Sequence, residues 1–286
     1  MIIVTGANGM LGRAVTERLL DDVPAEQIGV SVRDTEKARA LKERGVRVRR
    51  GDFTDAASLA HAFEGASKVL VVSVDTTGEE AVSRHGMAIK AAAAAGAGRI
   101  VYTSHMGSNP SSPFPPMPDH AATEALLRES GVPFTALRNG FYASSAAMLL
   151  GAALETGELI APQDGPVAWT AHADLAEVAA LALTTEDLDG VTPAFTGPDA
   201  IDMAGIAAIA AELTGRPIRR VLVPDADYHA SLLAHGLPKP AADMLLGIFL
   251  ASRQGEFAPA GPTLARILGR PAVPLTDVLK EAIAIR

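Results

Sequence analysis

An α/β fold built on a doubly wound parallel sheet, with a smaller and mostly helical C-terminal lobe, is what this 286-residue sequence predicts. Three observations carry the expectation. Short apolar runs rich in Val and Ile alternate with Ala-rich helical stretches through the first half, the pattern of parallel strands joined by helical crossovers. A glycine-rich loop follows the first run at once and opens the first helix. Beyond Asp202 the alternation gives way to helical segments punctuated by Pro217, Pro224, Pro238, Pro240, Pro259, Pro262, Pro271 and Pro274.

The strand candidates are, in order, MIIVT, IGVSVR, VRVRR, KVLVVS, RIVYTS and PFTALR. Helical stretches near 10–20, 35–43, 55–63, 79–95 and 119–130 fall between them, each long enough for the crossover a parallel pair requires. Past Arg138, ELIAP, VAWTA and TPAFTG read as short strands, and ADLAEVAALAL as a helix whose Asp174 and Glu177 form a capping box. The expected division is a dinucleotide-binding domain over 1–155, segments near 167–185 returning to it, and a substrate-capping lobe over 186–286.

Composition narrows the partners. With 25 basic against 33 acidic side chains the net charge is −8, which offers no field for a nucleic acid. The chain has no cysteine, so disulfides, thiolate metal sites and a cysteine nucleophile are excluded. His61, His85, His172, His229 and His235 show no metal spacing, and no metal is expected. The leading run MIIVTG is too short and lacks the basic region of a targeting segment, and AAMLLGAAL at 146–154 is far below the roughly 20 residues that span a bilayer. No membrane is expected as a partner, and the location expected is the cytoplasm.

In VTGANGMLGR, Gly6, Gly9 and Gly12 fall three apart at the first strand-to-helix junction. One glycine permits a sharp turn, a second lets the backbone approach a pyrophosphate, and a third lets the helix pack closely, while the helix N-terminus presents amide donors. At the end of the second strand an acidic residue would hold a ribose 2′-hydroxyl and a basic one a 2′-phosphate. Arg33 stands there, so NADP(H) is preferred with NAD(H) as the second choice. Its neighbour Asp34 has two readings, as a cap for the following helix or as a ribose ligand. At the third strand end, Asp52 and Phe53 lie where an adenine would rest, and the arginines of RGVRVRR read as a solvated strand edge.

The motifs TGANGMLG, VRDTEKA, GDFTDAASL, IVYTS, DHAATEALL and LRNGFY together resemble the NmrA-like branch of atypical short-chain dehydrogenases, and within it the NADPH-dependent type 2 quinone oxidoreductases. The match runs from Met1 to about Tyr142, and GLPKPAADML and LARILGRPAVPLTDVLKE extend it to the end. The resemblance implies a Rossmann domain with a small C-terminal lobe and a cleft between them. It implies cofactor contacts at Gly6, Ala7, Asn8, Gly9, Met10 and Leu11, at Arg33, Asp52, Phe53 and Ser73, and at Asn139, Gly140, Phe141 and Tyr142. Two departures bear on the acceptor site: VVSVDTTGEE replaces a serine-rich turn, and Phe141 stands where relatives often carry tryptophan.

Typical short-chain dehydrogenases carry a tyrosine with a lysine four residues on, which protonates the alkoxide formed from a ketone. In MPDHAATEALL the pair at that spacing is His120 and Glu124, and no YxxxK occurs anywhere. A quinone receiving hydride becomes a phenolate whose pKa is near ~10, so it forms without a strong acid at hand. His120 is the candidate donor; the other reading is a structural i,i+4 contact with Glu124. Ser104, where the family's usual serine stands, is the second catalytic candidate, with a strand-end turn as its other reading. Phe141 and Tyr142 read either as the wall of an aromatic acceptor's pocket or as core. The activity expected is NADPH-dependent hydride transfer to a quinone-like aromatic acceptor. The alternatives are a non-catalytic redox sensor of the NmrA type and a tailoring ketoreductase of a polycyclic aromatic metabolite. The C-terminal helices have two uses open to them, closure on the cofactor or pairing as a homodimer.

Overall fold

The structure, a computed structural model, describes residues Met1 to Ile285. In chain order it runs β1 (Ile2–Thr5), α1 (Met10–Asp22), β2 (Ile28–Val32), α2 (Arg39–Glu43), β3 (Arg47–Arg50), α3 (Ala56–Phe63), β4 (Lys68–Val71), α4 (Glu79–Ala94), β5 (Arg99–His105), α5 (Pro116–Glu129) and β6 (Phe134–Asn139). Next come β7 (Phe141–Tyr142), α6 (Ala143–Leu150), α7 (Ala153–Thr156), β8 (Glu158–Ala161), β9 (Val167–Thr170), α8 (His172–Thr184) and β10 (Gly190–Val191). The remainder is β11 (Ala200–Ile201), α9 (Met203–Thr214), β12 (Arg219–Leu222), α10 (Asp225–Ala234), α11 (Lys239–Arg253), α12 (Thr263–Leu268) and α13 (Leu275–Ala284).

The first of two compact units comprises Met1–Pro110, Pro118–Asn139 and His172–Pro193. It is a seven-stranded sheet in the order β10-β6-β5-β4-β1-β2-β3, with every pairing parallel. The strand order reverses between β1 and β4, the switch point at which ligands of open α/β sheets bind. Strands covered on both faces read as continuous apolar runs, and all five residues of β2 are buried. One core layer packs Ile3, Phe63, Val69, Ile89, Ile100 and Tyr102 among smaller residues. Asp55 caps α3 by accepting from the Ser58 amide at 3.0 Å.

The second unit gathers Ser111–Met117, Gly140–Ala171 and the chain from Ala194 onward. Its strands form a three-stranded sheet, β11-β9-β7, and a parallel pair, β12-β8. Asp202 caps α9 through the Gly205 amide at 2.8 Å, and Gly215 closes it in the left-handed conformation at φ +67°.

Several local expectations are corrected. Asp174 is not a cap: α8 starts at His172, which leaves Asp174 inside the first turn and fully buried. TPAFTG does not form a continuous strand: between Gly190–Val191 and Ala200–Ile201 it holds a single bridge residue, Phe195, whose carbonyl accepts from the Gly140 amide at 2.8 Å. The stretch 35–43 divides into a 3-10 turn at Glu36–Ala38 and the short α2. The β3 arginines are not simply solvated. Arg47 donates to the carbonyls of Glu64 and Ala62 at 2.8 and 3.0 Å, and Arg49 donates to that of His61, so both satisfy carbonyls that the C-terminal end of α3 leaves open.

The glycine loop shows why its spacing is needed. Gly6 has φ +64°, its amide donates to Ser31 O at 3.1 Å, and its carbonyl accepts from the Gly9 amide at 2.9 Å. A Cβ on Gly12 would stand 2.4 Å from that same Gly6 carbonyl oxygen. Because the neighbour is backbone, Gly12→Ala must push α1 off the loop. We expect a destabilisation of about 2 kcal/mol, the scale of overpacking a filled interior, measured by urea denaturation, together with weaker dinucleotide binding.

Candidate functional site

The carboxyl ends of β1, β2, β3 and β4 surround a cavity of about 450 Å³. The structure brings together seven of the residues expected to bind cofactor: Gly6, Asn8 and Gly9 from the first loop, Arg33 after β2, Asp52 and Phe53 after β3, and Ser73 after β4. Ala7 and Leu11 are buried beneath the loop, and Met10 is exposed at the start of α1, so none of the three lines the cavity.

At the end of β2 Asp34 closes the turn before Glu36 and also lines the cavity. Its Oδ1 accepts from the Glu36 amide at 3.1 Å and its Oδ2 lies 4.0 Å from Lys37 Nζ, which makes it the cap of the 3-10 turn. The Asn8 amide group donates to the Asp34 carbonyl at 2.8 Å and ties the loop to this turn. Arg33 and Lys37, both exposed, line the cavity as cations beside Asp34, whose carboxylate accepts from the Glu36 amide. That balance suits a phosphate better than a hydroxyl. At β3, Asp52 is held by Thr54, whose amide and hydroxyl donate to Oδ1 at 2.9 and 2.8 Å. Those two bonds, followed by the fields of Arg50 and Arg33, hold its carboxyl below the usual range.

Two polar atoms lining the cavity are buried without a protein partner, Asn8 Oδ1 and Ser31 Oγ. Buried polar atoms are normally satisfied, so their presence fits a ligand rich in hydroxyl and phosphate oxygens. The shape fits as well: a Cβ at Gly51 would strike Ser31 Oγ at 2.0 Å.

The expected catalytic pair separates into two clusters. The polar partners of Glu124 are Ser104, Arg138 and Arg128 rather than His120. Glu124 is 2% exposed and accepts a two-pronged bond from Arg138, with Nε to Oε1 at 3.0 Å and Nη2 to Oε2 at 2.9 Å. Ser104 donates its hydroxyl to Glu124 Oε1 at 2.7 Å, so its proton is committed. His120, 9% exposed, holds Tyr102 Oη at 2.8 Å through Nδ1 and stacks on His105 at 6.0 Å. Burial, helped by the fields of His105 and His85, pushes its pKa well below the usual histidine value. Neither His120 nor Ser104 lines the dinucleotide cavity.

Asn139 ends β6 with both amide atoms buried and unpartnered. In the second unit, the Gly140 amide donates to Phe195 O at 2.8 Å, and a Cβ there would meet Thr170 Oγ1 at 2.1 Å. The Phe141 ring is core: it is 5% exposed and lies 5.6, 5.3 and 5.0 Å from the rings of Phe114, Trp169 and Phe257. Tyr142 is half-buried at the head of α6. Sequence reasoning missed Ser31, Lys37, Gly51, Val74, Asp75 and Arg84 as cavity residues. Lys37, four residues beyond Arg33, was the one within reach of a spacing argument.

Residues 6–186 match the profile of an NAD(P)H-binding family. Quinone oxidoreductase 2 of Escherichia coli is 36% identical over 97% of this chain and 96% of its own length. An NAD(P)H azoreductase of Xenophilus azovorans is 30% identical over 99% and 98%. Among solved structures, the E. coli NADPH-dependent quinone oxidoreductase complexed with NADPH superposes with a TM-score of 0.93, at 34% identity, over 99% of this chain and 100% of that one.

Two measurements check this electrostatic arrangement. Glu124→Ala removes the acceptor of the Ser104 hydroxyl and the partner of the half-buried Arg138 guanidinium, and unfolding free energy is expected to fall by about 2 kcal/mol, the scale of an unsatisfied polar group. His85, pushed down to about 4, and His120 are both held neutral by burial. The unfolded chain therefore binds more protons as pH falls below about 6.5. The stability both give is present above that pH and lost as pH falls toward the folded-state values, the slope steepening toward about 1.4 kcal/mol per pH unit for each well below pH 6.5. Denaturation midpoints between pH 7 and 5 should show that slope, and a flat profile would contradict it.

Proposed function

The chain belongs to the NmrA-like family of NAD(P)H-binding proteins, and we propose that it is an NADPH-dependent oxidoreductase passing hydride to a quinone or similar conjugated aromatic acceptor. The observation that carries this reading is the cavity at the sheet's switch point, lined by Arg33 and Lys37 beside Asp34, whose carboxylate accepts from the Glu36 amide. The relatives named quinone oxidoreductase and azoreductase, and the neighbour complexed with NADPH, support the same assignment.

In this reading Gly6, Asn8 and Gly9, at the N-terminus of α1, hold the pyrophosphate. Arg33 and Lys37 hold the 2′-phosphate, Phe53 packs on the adenine, and Ser73 supplies a hydroxyl beside β4. Bound NADPH supplies the hydride. The protein's part is then orientation and exclusion of water, with no tyrosine and lysine to deliver a proton. His120, neutral and tied to Tyr102, gives a hydrogen bond to the reduced acceptor and not an acid's proton. Ser104, whose hydroxyl donates to Glu124 Oε1, positions that carboxylate. The first unit is assigned to the dinucleotide and the mostly helical second unit to the acceptor.

Mixing protein, NADPH and a panel of quinones, and following the nicotinamide absorbance, should show turnover. Oxidation no faster than background with every acceptor would overturn the reading, and NADPH binding without oxidation would point to a sensor. Arg33→Ala should raise Kd for NADPH about tenfold, the loss of a charge-assisted contact, and leave Kd for NADH unchanged.

A further inference from the structure

The turn after β4, Val72 to Gly78, borders the cavity through Val72, Ser73, Val74 and Asp75. Its amides are not paired with other backbone. The Val72 amide donates to Thr5 Oγ1 at 2.9 Å and that of Ser73 to Thr103 Oγ1 at 2.8 Å, both on neighbouring strands. The Val74 amide donates to Nε2 of His85 at 3.0 Å, and at the far end the Gly78 amide donates to Asp119 Oδ2 at 2.8 Å. His85 is 2% exposed on α4, and its Nδ1 lies 2.9 Å from Thr123 Oγ1. The Thr123 hydroxyl in turn donates to the Asp119 carbonyl at 2.8 Å.

These contacts fix every proton in the chain. A backbone amide can only donate, so Nε2 is an acceptor. The Thr123 proton is spent on Asp119, so Thr123 must accept from Nδ1–H. His85 is therefore the neutral Nδ1–H tautomer, an acceptor toward the turn and a donor toward α5. We propose that His85 is a positioning residue for the dinucleotide, acting through the Val74 amide to hold the β4–α4 turn in the shape that meets the cofactor. The proposal rests on the dinucleotide reading of the cavity.

The surroundings give the charged ring no welcome. Tyr102 from β5 meets the imidazole edge-on at 5.3 Å. From α5, Asp119 is engaged with Gly78, and His120 shares a mutually unfavourable field with His85. Burial pushes His85 down to about 4. An imidazolium would set Nε2–H against the Val74 N–H, two donors face to face, and the turn would have to let go.

The tautomer is read directly from ¹⁵N NMR of the histidine-labelled protein without cofactor. A neutral Nδ1–H ring for His85 at pH 7 is expected, and an Nε2–H ring or an imidazolium would overturn the proposal. In His85→Leu, amide exchange at Val74 should quicken, and Kd for NADPH, followed by nicotinamide fluorescence, should rise about tenfold, as for an unsatisfied buried donor. KM for the quinone should stay unchanged. His85→Gln, which keeps an acceptor near the Nε2 position, should recover most of the affinity. Wild-type protein that fails to bind NADPH would defeat the functional reading itself. Wild-type protein that binds NADPH while a folded His85→Leu binds it equally well would defeat only the role of His85.

Discussion

Where a parallel sheet ends, its backbone donors lose the ladder that paired them and must find something else. This chain divides those donors into two sets. Around β1 the loop closes on itself, the Gly6 amide donating to Ser31 O and the Gly9 amide to Gly6 O, and it is the first amides of α1 that have no intrahelical acceptor. Around β4 the amides are withdrawn from any ligand and given to Thr5, Thr103 and His85. The turn after β4 thus spends its amides on side chains, while the helix that opens after β1 keeps its first amides for another partner. The orphaned atoms Asn8 Oδ1 and Ser31 Oγ line the cavity.

The position that holds a tyrosine and a lysine in typical short-chain enzymes carries here a histidine and a glutamate that are both buried. Glu124 braces Arg138 and fixes Ser104, while His120 is buried neutral against Tyr102. A ketone, which needs a proton as hydride arrives, is poorly served by such a site. An acceptor that becomes a phenolate is served well enough, because its charge is delocalised before any proton comes.

The sheet was legible because parallel strands buried on both faces leave continuous Val- and Ile-rich runs, and the loop because glycine has few substitutes at φ +64°. Arg33 was legible from its place after β2. Asp174 misled because Asp followed by Glu at the right distance also occurs inside a first turn. His85 left no local trace: its partners lie 11 residues before it and 38 residues after it, and only the fold sets them together. Phe141 is of the same kind, since an aromatic at a strand end reads alike whether it faces a ligand or, as here, three other rings.

The first unit is interrupted in the chain: Gly140–Ala171 belongs elsewhere, and only His172–Pro193 brings α8 against α1 and adds β10 to the edge of the sheet beside β6. During synthesis the nucleotide-binding body cannot close when its sixth strand leaves the ribosome. A nascent chain that ends before α8 leaves α1 without the helix it packs against, and the second unit is begun before the first is finished. Neither unit is one continuous stretch of chain, so neither can be exchanged as a cassette by a single cut in the gene.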